Sequence, residues 1–144
     1  MIVGWRLCRA PFAALDGEGA RRFGGRWNSP GRPLVYLADH PALAALEVLV
    51  HLDLSPEDLP DDYVLLRVQL PEATEPAAPV VGEDTRGIGD SWLDGRRTPL
   101  LRVASVLVPH AENLLLNPLH PDASGATIEQ TVPFRFDPRL FKVA

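Results

Sequence analysis

The sequence predicts an α+β domain with mixed small sheets and few helices. Three observations favour this class: about five or six short strand-like segments recur along the chain, one segment has the residue types of a main helix, and stretches rich in proline or glycine separate them. A chain of 144 residues can bury one continuous core, and no repeat or change in composition marks a second domain. We therefore expect residues 1–144 to form a single domain.

The predicted elements follow from local patterns. Residues 3–9 alternate apolar and polar side chains, and residues 42–52 follow Pro41 with strong helix formers. A glycine-rich segment, 11–32, is expected to be irregular and functional, whereas the proline-rich, acidic segment 71–84 is expected to be a surface excursion. A helical turn is predicted over 91–97. The predicted strands are 3–9, 34–38, 63–70, 100–108 and 131–136.

Charge and composition restrict the location and partners of the protein. A net charge of −5 argues against direct binding of nucleic acid through phosphate contacts. The longest nearly apolar run, 41–52, is far shorter than the roughly 20 residues that span a bilayer, so no membrane contact is expected. Cys8 is the one cysteine, and the chain begins without the pattern of a secretory signal. Both features favour a cytoplasmic protein.

Arginine and glycine residues define a first candidate binding site. Two adjacent glycines, Gly24 and Gly25, would let the backbone approach a ligand, and Arg26 offers a planar fork of donors for a phosphate. The spacing does not match the dinucleotide-binding fingerprint, and Trp27 is expected to pack in the core. A small anionic ligand and a solvated loop are both compatible with this charge pattern. Residues 21–32 contain no acid and four arginines, Arg21, Arg22, Arg26 and Arg32.

Two polar residues interrupt the predicted helix. Glu47 and His51 are four residues apart, which places neighbouring side chains on one helical face. A carboxylate in an apolar helix is costly unless it is paired or lines a cavity. Either a mutual hydrogen bond in the core or a functional cleft would explain the pair. A metal site with His40 is the weakest interpretation, because the three residues match no familiar ligand spacing.

Two hydroxyl side chains lie on predicted strands. The ring of Tyr36 can pack in the half-buried wall of the sheet, or it can stack on a flat ligand with its hydroxyl toward water. Ser105 lies in an apolar strand, where its hydroxyl can bond to the backbone or belong to a site. No Gly-x-Ser-x-Gly sequence surrounds any serine, so a hydrolase of that type is not predicted.

Taken together, these segments resemble the RES domain family, named for an arginine, a glutamate and a serine. The resemblance extends over nearly the whole chain and follows the family's order. It carries the family's residues to Arg26, Tyr36, Glu47 and Ser105, with His51 as a neighbour; Ala104 stands where the family usually has proline. The matching segments are 5–6, 24–28, 36–38, 45–51, Ser105 with Pro109, 113–118 with His120, and 136–140.

The resemblance implies a fold similar to the ADP-ribosyltransferase toxins, with NAD in a cleft between small sheets. Family members are toxins paired with an Xre-type helix-turn-helix antitoxin that covers the active site, and a homodimer within that complex is expected. Some members degrade NAD by hydrolysis or phosphorolysis, and at least one kind transfers ADP-ribose to an enzyme of nucleotide metabolism. NAD is therefore the expected substrate.

The residues fit this chemistry. Cleavage of the nicotinamide–ribose bond passes through an oxocarbenium-like sugar, which Glu47 would stabilise. Arg26, next to Gly25, would hold the pyrophosphate, and Tyr36 would pack against the nicotinamide ring. Ser105 would bond the nicotinamide ribose or carboxamide, and His51 would orient Glu47. No metal is expected, because the cationic leaving group is already activated. Modification of a specific protein, or a non-catalytic module that binds an anionic ligand, remains as an alternative.

Overall fold

The computed structural model describes residues 2–77 and 84–141. Within them, seven strands form one mixed sheet accompanied by three α-helices, which confirms the predicted α+β class; the strands join in one sheet rather than in several small ones. The strands are β1 (Ile2–Arg9), β2 (Val35–Ala38), β3 (Tyr63–Leu70), β4 (Thr74–Pro76), β5 (Leu100–Ala104), β6 (Glu112–Leu116) and β7 (Thr127–Pro133). The helices are α1 (Glu18–Phe23), α2 (Pro41–Leu49) and α3 (Thr85–Gly95), with 3-10 turns at Ala10–Phe12, Pro56–Asp58, Pro121–Gly125 and Pro138–Phe141.

The order of strands across the sheet is β4-β5-β6-β2-β1-β3-β7. All neighbours are antiparallel except β4 and β5, which are parallel. β1 pairs with β3 along its whole length, whereas β1 and β2 share one register pair, Trp5 with Ala38. The sheet therefore consists of two groups of strands, β4-β5-β6-β2 and β1-β3-β7, which are joined by a single register pair.

Apolar side chains cover both faces of this sheet, because successive residues of each strand point to opposite sides. One face carries a buried cluster formed by Val35, Leu37, Leu66, Val68, Leu70, Leu100, Leu114 and Leu116. On the other face, α3 packs through Trp92 and Leu93, together with Trp27, onto Leu101, Val103 and Leu115. α2 covers the adjoining part of that face through Leu43 and Ala44, which contact Leu7, Ala38 and Tyr63.

The strand predicted at 63–70 is confirmed, and the first strand begins one residue earlier than predicted. The helix predicted over 42–52 ends at Leu49, since the N–H groups of His51 and Leu52 bond to carbonyls three residues back, at 3.1 Å each. The last strand lies at Thr127–Pro133 instead of 131–136.

Two predicted irregular segments contain regular structure. The helix α1 lies inside segment 11–32, and α3 begins six residues before the predicted helical turn at 91–97. Within the predicted excursion 71–84, Thr74–Pro76 adds an edge strand, while residues 78–83 lie outside the described residues. No helix among the described residues has the length and hydropathy needed to cross a membrane.

Candidate active site

A cleft of about 860 Å³ lies between the sheet, α2 and the segment that follows α1. This volume is within the range usual for small-molecule sites in proteins. Five of the six residues predicted from the sequence line it, namely Gly25, Arg26, Tyr36, Glu47 and His51. The sixth, Ser105, lies between the lining residues Ala104 and Val106. The fold therefore brings the predicted residues to one place.

Glu47 reaches the cleft from α2. The helix starts with Pro41, and its first turn is capped by Nδ1 of His40, which accepts the N–H of Ala42 at 3.0 Å. Leu43 and Ala44 are buried on the side of α2 that packs against the sheet, and Glu47 follows them on the same face. Its Oε1 atom is buried without a hydrogen-bond partner among the described residues. An unsatisfied buried acceptor costs about 1–3 kcal/mol, so this oxygen is available to a ligand.

His51 lies on the wall of the same cleft, but it is exposed and follows the end of α2. A spacing of four residues places side chains side by side only while the helix continues. The predicted hydrogen bond between Glu47 and His51 is not formed within the described part of the chain. Of the two explanations considered for this pair, the structure therefore favours the cleft over a mutual hydrogen bond in the core, and Glu47 has no partner among the described residues.

A tight turn over 24–28 carries Gly25 and Arg26. The N–H of Gly25 donates to the carbonyl of Asn28 at 2.9 Å, and Gly24 adopts a φ of 71°, in the left-handed region. A Cβ atom on Gly25 would lie 2.5 Å from the hydroxyl of Tyr36. Glycine is therefore required at position 25 for close packing of the turn against β2.

Tyr36 presents its ring to the cleft while its hydroxyl bonds to the turn. The hydroxyl donates to Oδ1 of Asn28 at 2.7 Å and accepts the N–H of Trp27 at 3.0 Å. Burial raises the pKa of this phenol to about 12, against the smaller opposing effect of the Trp27 N–H. The hydroxyl is therefore neutral, and it already makes one donor bond and one acceptor bond within the protein.

The four arginines of this segment do not form one cluster. Arg21 and Arg22 both pair with Glu18, and hydrogen bonds from Arg21, with a smaller effect of Arg22, lower the pKa of that carboxyl to about 2. Arg32 forms a two-pronged ion pair with Asp94 at 2.9 Å for each contact. Arg26 has no ion-pair partner among residues 2–77 and 84–141, and its guanidinium carbon lies 5.9 Å from the centroid of the Trp27 ring. Within the described residues, Arg26 is thus the one of these four arginines whose guanidinium has no carboxylate partner, which leaves its charge for an anion.

Ser105 does not lie on a strand as predicted. β5 ends at Ala104, and the hydroxyl of Ser105 accepts the N–H groups of Leu107 and Val108, both at 3.1 Å. These bonds close a turn that competes with continuation of the strand. The hydroxyl hydrogen is not used by either bond, so Ser105 can still donate one hydrogen bond.

Three polar residues of the site were not selected from the sequence. Arg6 and Asn113 line the cleft; Nη1 of Arg6 donates to the carbonyl of Phe12 at 2.9 Å, and Nδ2 of Asn113 donates to that of Leu37 at 3.3 Å. Asn28 is fully buried beneath the turn. Neither spacing nor charge distinguishes these residues from surface residues, and the signal that could have selected them is that all three lie in the segments that resemble the family, 5–6, 24–28 and 113–118. Within the described ranges, no group of three or more potential ligand residues could hold a metal ion.

Comparisons with known proteins place this chain in a family. A model of the RES domain matches residues 4–137. The "Toxin Res" of Pseudomonas putida is 43% identical over 148 residues, which cover 97% of this chain and 100% of that protein. The "Prs ADP-ribosylating toxin" of a Sphingobium species is 38% identical over 144 residues, which cover 90% and 88%. The "NAD(+) phosphorylase MbcT" of Mycobacterium tuberculosis is 61% identical over 45 residues, or 31% of this chain and 24% of that protein.

The same fold is present in a solved structure. A chain in the crystal structure of the Mycobacterium tuberculosis MbcT–MbcA toxin–antitoxin complex superposes with a TM-score of 0.75 at 21% sequence identity. The match covers 96% of this chain and 86% of that chain, so the architecture is shared almost throughout. Since the family model spans most of the sequence and two toxins align with it over nearly their full lengths, the chain belongs to the RES domain family of toxins.

Proposed function

We propose that this protein is the toxin of a toxin–antitoxin system and that it cleaves the nicotinamide–ribose bond of NAD⁺ in the cytoplasm. The observation that carries the proposal is the buried Oε1 of Glu47, which has no partner among the described residues and lies in the same cleft as the unpaired Arg26. The carboxylate is suited to the positive charge that develops on the ribose, and the guanidinium is suited to the negatively charged pyrophosphate of NAD⁺.

Glu47 would act when the glycosidic bond breaks. The electron pair of the bond leaves with the cationic nicotinamide, which becomes neutral, and positive charge develops on the ribose. A carboxylate held in place before this charge appears stabilises it without reorganisation. Water or inorganic phosphate would then add to the sugar, giving ADP-ribose or its phosphorylated form. The leaving group needs no acid or metal, because its nitrogen carries the positive charge that departure removes.

The other predicted residues would bind and orient NAD⁺. Arg26 would contact the pyrophosphate, beside the close backbone of Gly25, and the ring of Tyr36 would pack against the nicotinamide. Ser105 would use its remaining hydroxyl hydrogen toward the ribose or the carboxamide. His51 lacks a bond to Glu47 in the described residues, so an orienting role for it would require the substrate to bring the two side chains together.

A second candidate is transfer of ADP-ribose to a protein. The Sphingobium relative, which aligns over 88% of its length, is named as an ADP-ribosylating toxin. The bond that breaks would be the same, and the acceptor, such as an enzyme of nucleotide metabolism, would replace water or phosphate. The two functions therefore share Glu47 and Arg26 and differ in what reaches the ribose.

The proposal includes an Xre-type antitoxin that covers the cleft. Four large apolar side chains of the cleft lining are exposed to solvent, with 81% of Phe23, 56% of Val50, 62% of Val106 and 37% of Leu107 accessible. Apolar residues gathered at one opening are typical of a surface that another protein covers. Expression of this chain alone should arrest bacterial growth and lower cellular NAD, and co-expression of the partner should restore both. Normal growth with unchanged NAD, despite soluble expression, would contradict this part.

The catalytic proposal is tested by incubating the purified protein with NAD⁺ and measuring released nicotinamide by chromatography. Parallel reactions contain buffer alone, inorganic phosphate, or a cell lysate with adenylate-labelled NAD⁺. Faster release with phosphate indicates phosphorolysis, and label on a protein band indicates transfer. A non-catalytic module that binds an anionic ligand would release no nicotinamide in any reaction, and that result would refute the proposal.

A further inference from the structure

The hydroxyl of Tyr36 joins β2 to the turn that carries Arg26. It donates to Oδ1 of Asn28 at 2.7 Å and accepts the N–H of Trp27 at 3.0 Å, so both residues that follow Arg26 are tied to one oxygen. The phenol therefore has one donor and one acceptor bond inside the protein. A substrate acceptor would have to displace Asn28 to bond the phenolic hydrogen.

Asn28 extends this attachment to the rest of the segment. Its side chain is fully buried, and Nδ2 donates to the carbonyls of Ala20 and Arg32, both at 2.9 Å. Ala20 belongs to α1, and Arg32 lies just before β2. The Asn28 carboxamide therefore joins the backbone at both ends of residues 20–32 to the hydroxyl of Tyr36. Such a buried and satisfied network fixes a single backbone arrangement.

The helix α3 holds the same turn from the other side. The hydroxyl of Thr85 donates to the carbonyl of Arg26 at 2.5 Å, and Nε of Arg86 donates to the carbonyl of Gly25 at 2.8 Å. The backbone on both sides of the Arg26 side chain is thus bonded, while its guanidinium has no ion-pair partner among the described residues. The backbone of Arg26 is therefore held in place, while its guanidinium has no carboxylate partner among the described residues.

We infer that Tyr36 is a positioning residue: its hydroxyl, with Asn28, holds the 24–28 turn so that Arg26 meets the pyrophosphate of NAD⁺. The hydroxyl is not a substrate ligand. The effect on NAD⁺ rests on the proposed function, whereas the effect on the turn does not. Loss of the hydroxyl should therefore weaken substrate binding through Arg26 and leave the bond-breaking step intact, because the aromatic ring remains in the cleft.

The first experiment is hydrogen–deuterium exchange on Tyr36→Phe, with Tyr63→Phe as the matched control. These are the two tyrosines of the chain, and Tyr63 lies under α2 away from the cleft lining. Exchange of peptides covering 24–32 should become faster in Tyr36→Phe and stay unchanged in the control. Equal protection of that segment in all three proteins would overturn the inference, whether or not NAD⁺ is cleaved.

The second experiment separates KM from kcat in the nicotinamide-release reaction. Loss of a hydrogen bond that positions Arg26 should raise KM roughly 3- to 10-fold and leave kcat nearly unchanged. Thr85→Val removes a bond to the same turn without touching Tyr36, and it should raise KM in the same way. A fall in kcat with unchanged KM in Tyr36→Phe would overturn the positioning role and place the hydroxyl in the chemical step.

A double variant decides whether the hydroxyl acts through Arg26. If it does, Tyr36→Phe should add little to the KM defect of Arg26→Ala, since the positioned group is already missing. Multiplicative defects would mean that the hydroxyl touches NAD⁺ itself, contrary to the inference. If the wild type releases no nicotinamide, the proposed function fails, and the exchange data alone decide whether Tyr36 holds the turn.

Discussion

Gly89 of α3 lies directly against the carbonyl group of Trp27. A Cβ atom at position 89 would overlap the Trp27 oxygen and approach its carbonyl carbon at 2.7 Å. One helical turn later, Trp92 is fully buried. Asp90 of α3 also bonds this loop, since its carboxylate accepts the N–H of Ser29 at 2.8 Å and the Ser29 hydroxyl at 2.6 Å. The position of the turn in the cleft therefore depends on how closely α3 can approach it.

Gly89→Ala should destabilise the protein by about 1–3 kcal/mol, because the added methyl group meets backbone that cannot rotate away. Thermal melting measures this loss. Gly95→Ala, in the same helix, is the matched control: its Cβ would have its nearest contact at 3.7 Å, with the side chain of Arg97. The control should melt at the wild-type temperature or slightly above it. Equal melting of the two variants would mean that α3 does not require this close approach.

Glu47→Gln should keep the fold and the NAD⁺ affinity but reduce turnover roughly 10²- to 10³-fold, because the negative charge that faces the sugar cation is lost. Thermal melting, NAD⁺ titration and nicotinamide release on one preparation provide the three readouts. Glu129→Gln is a suitable control, since Glu129 pairs with Arg67 at 3.0 Å outside the cleft lining. A Glu47→Gln protein that melts early yet turns over normally would refute the catalytic assignment.

Arg26→Ala should weaken NAD⁺ binding by about 1.5–3 kcal/mol through loss of a charge-assisted contact, with little change in melting temperature. The fold should tolerate the change because Arg26 is exposed and lacks an ion-pair partner in the described residues. Arg22→Ala removes a neighbouring exposed arginine that contacts Glu18 at 3.4 Å, and NAD⁺ affinity should not change. Calorimetric titration compares the two variants; equal affinities for NAD⁺ would exclude the phosphate contact.

The stability of the protein should fall as the pH rises from about 10 to about 12. Burial raises the pKa of Tyr36 from 10.0 to about 12, so the unfolded phenol ionises first and draws the equilibrium toward the unfolded state. The contribution of neutral Tyr36 is complete below the lower value and lost above the higher one. Urea unfolding at several pH values should give a steeper decline for wild type than for Tyr36→Phe. Parallel declines would show that this phenol ionises normally in the folded protein.

The location of the site could be predicted from the sequence, but its internal contacts could not. Glu47 stands out because a lone carboxylate in an apolar helix must be accounted for, and the cleft accounts for it. The sequence could not decide between the cleft and a pairing with His51, because the position of the helix end depends on backbone bonds that no local pattern marks. The free state of Arg26 depends on acids far along the chain, such as Asp94, that neutralise other arginines.

Elements with strong local patterns were easier to predict than elements that depend on tertiary contacts. β3 has alternating burial and matches its predicted bounds. The three-residue β4 ends with a proline, and it is a strand because β5 lies parallel beside it. The short helix α1 lies between Gly17 and Gly24, and glycine predicts irregular backbone there. None of its residues is buried, and the ion pairs of Arg21 and Arg22 with Glu18 stabilise it along its surface.

The single register pair between Trp5 and Ala38 gives the molecule an uneven mechanical stiffness. Separation of any other two neighbouring strands would break a ladder of at least three register pairs. Between β1 and β2, separation of the two groups of strands would disrupt only one register pair. Residues of both β1 and β2 line the cleft beside this junction, so we expect the cleft to widen more easily here than across the other strand pairs. A ligand of slightly different size is therefore expected to be accommodated by a small separation of β1 and β2, without repacking of the side chains that line the cleft.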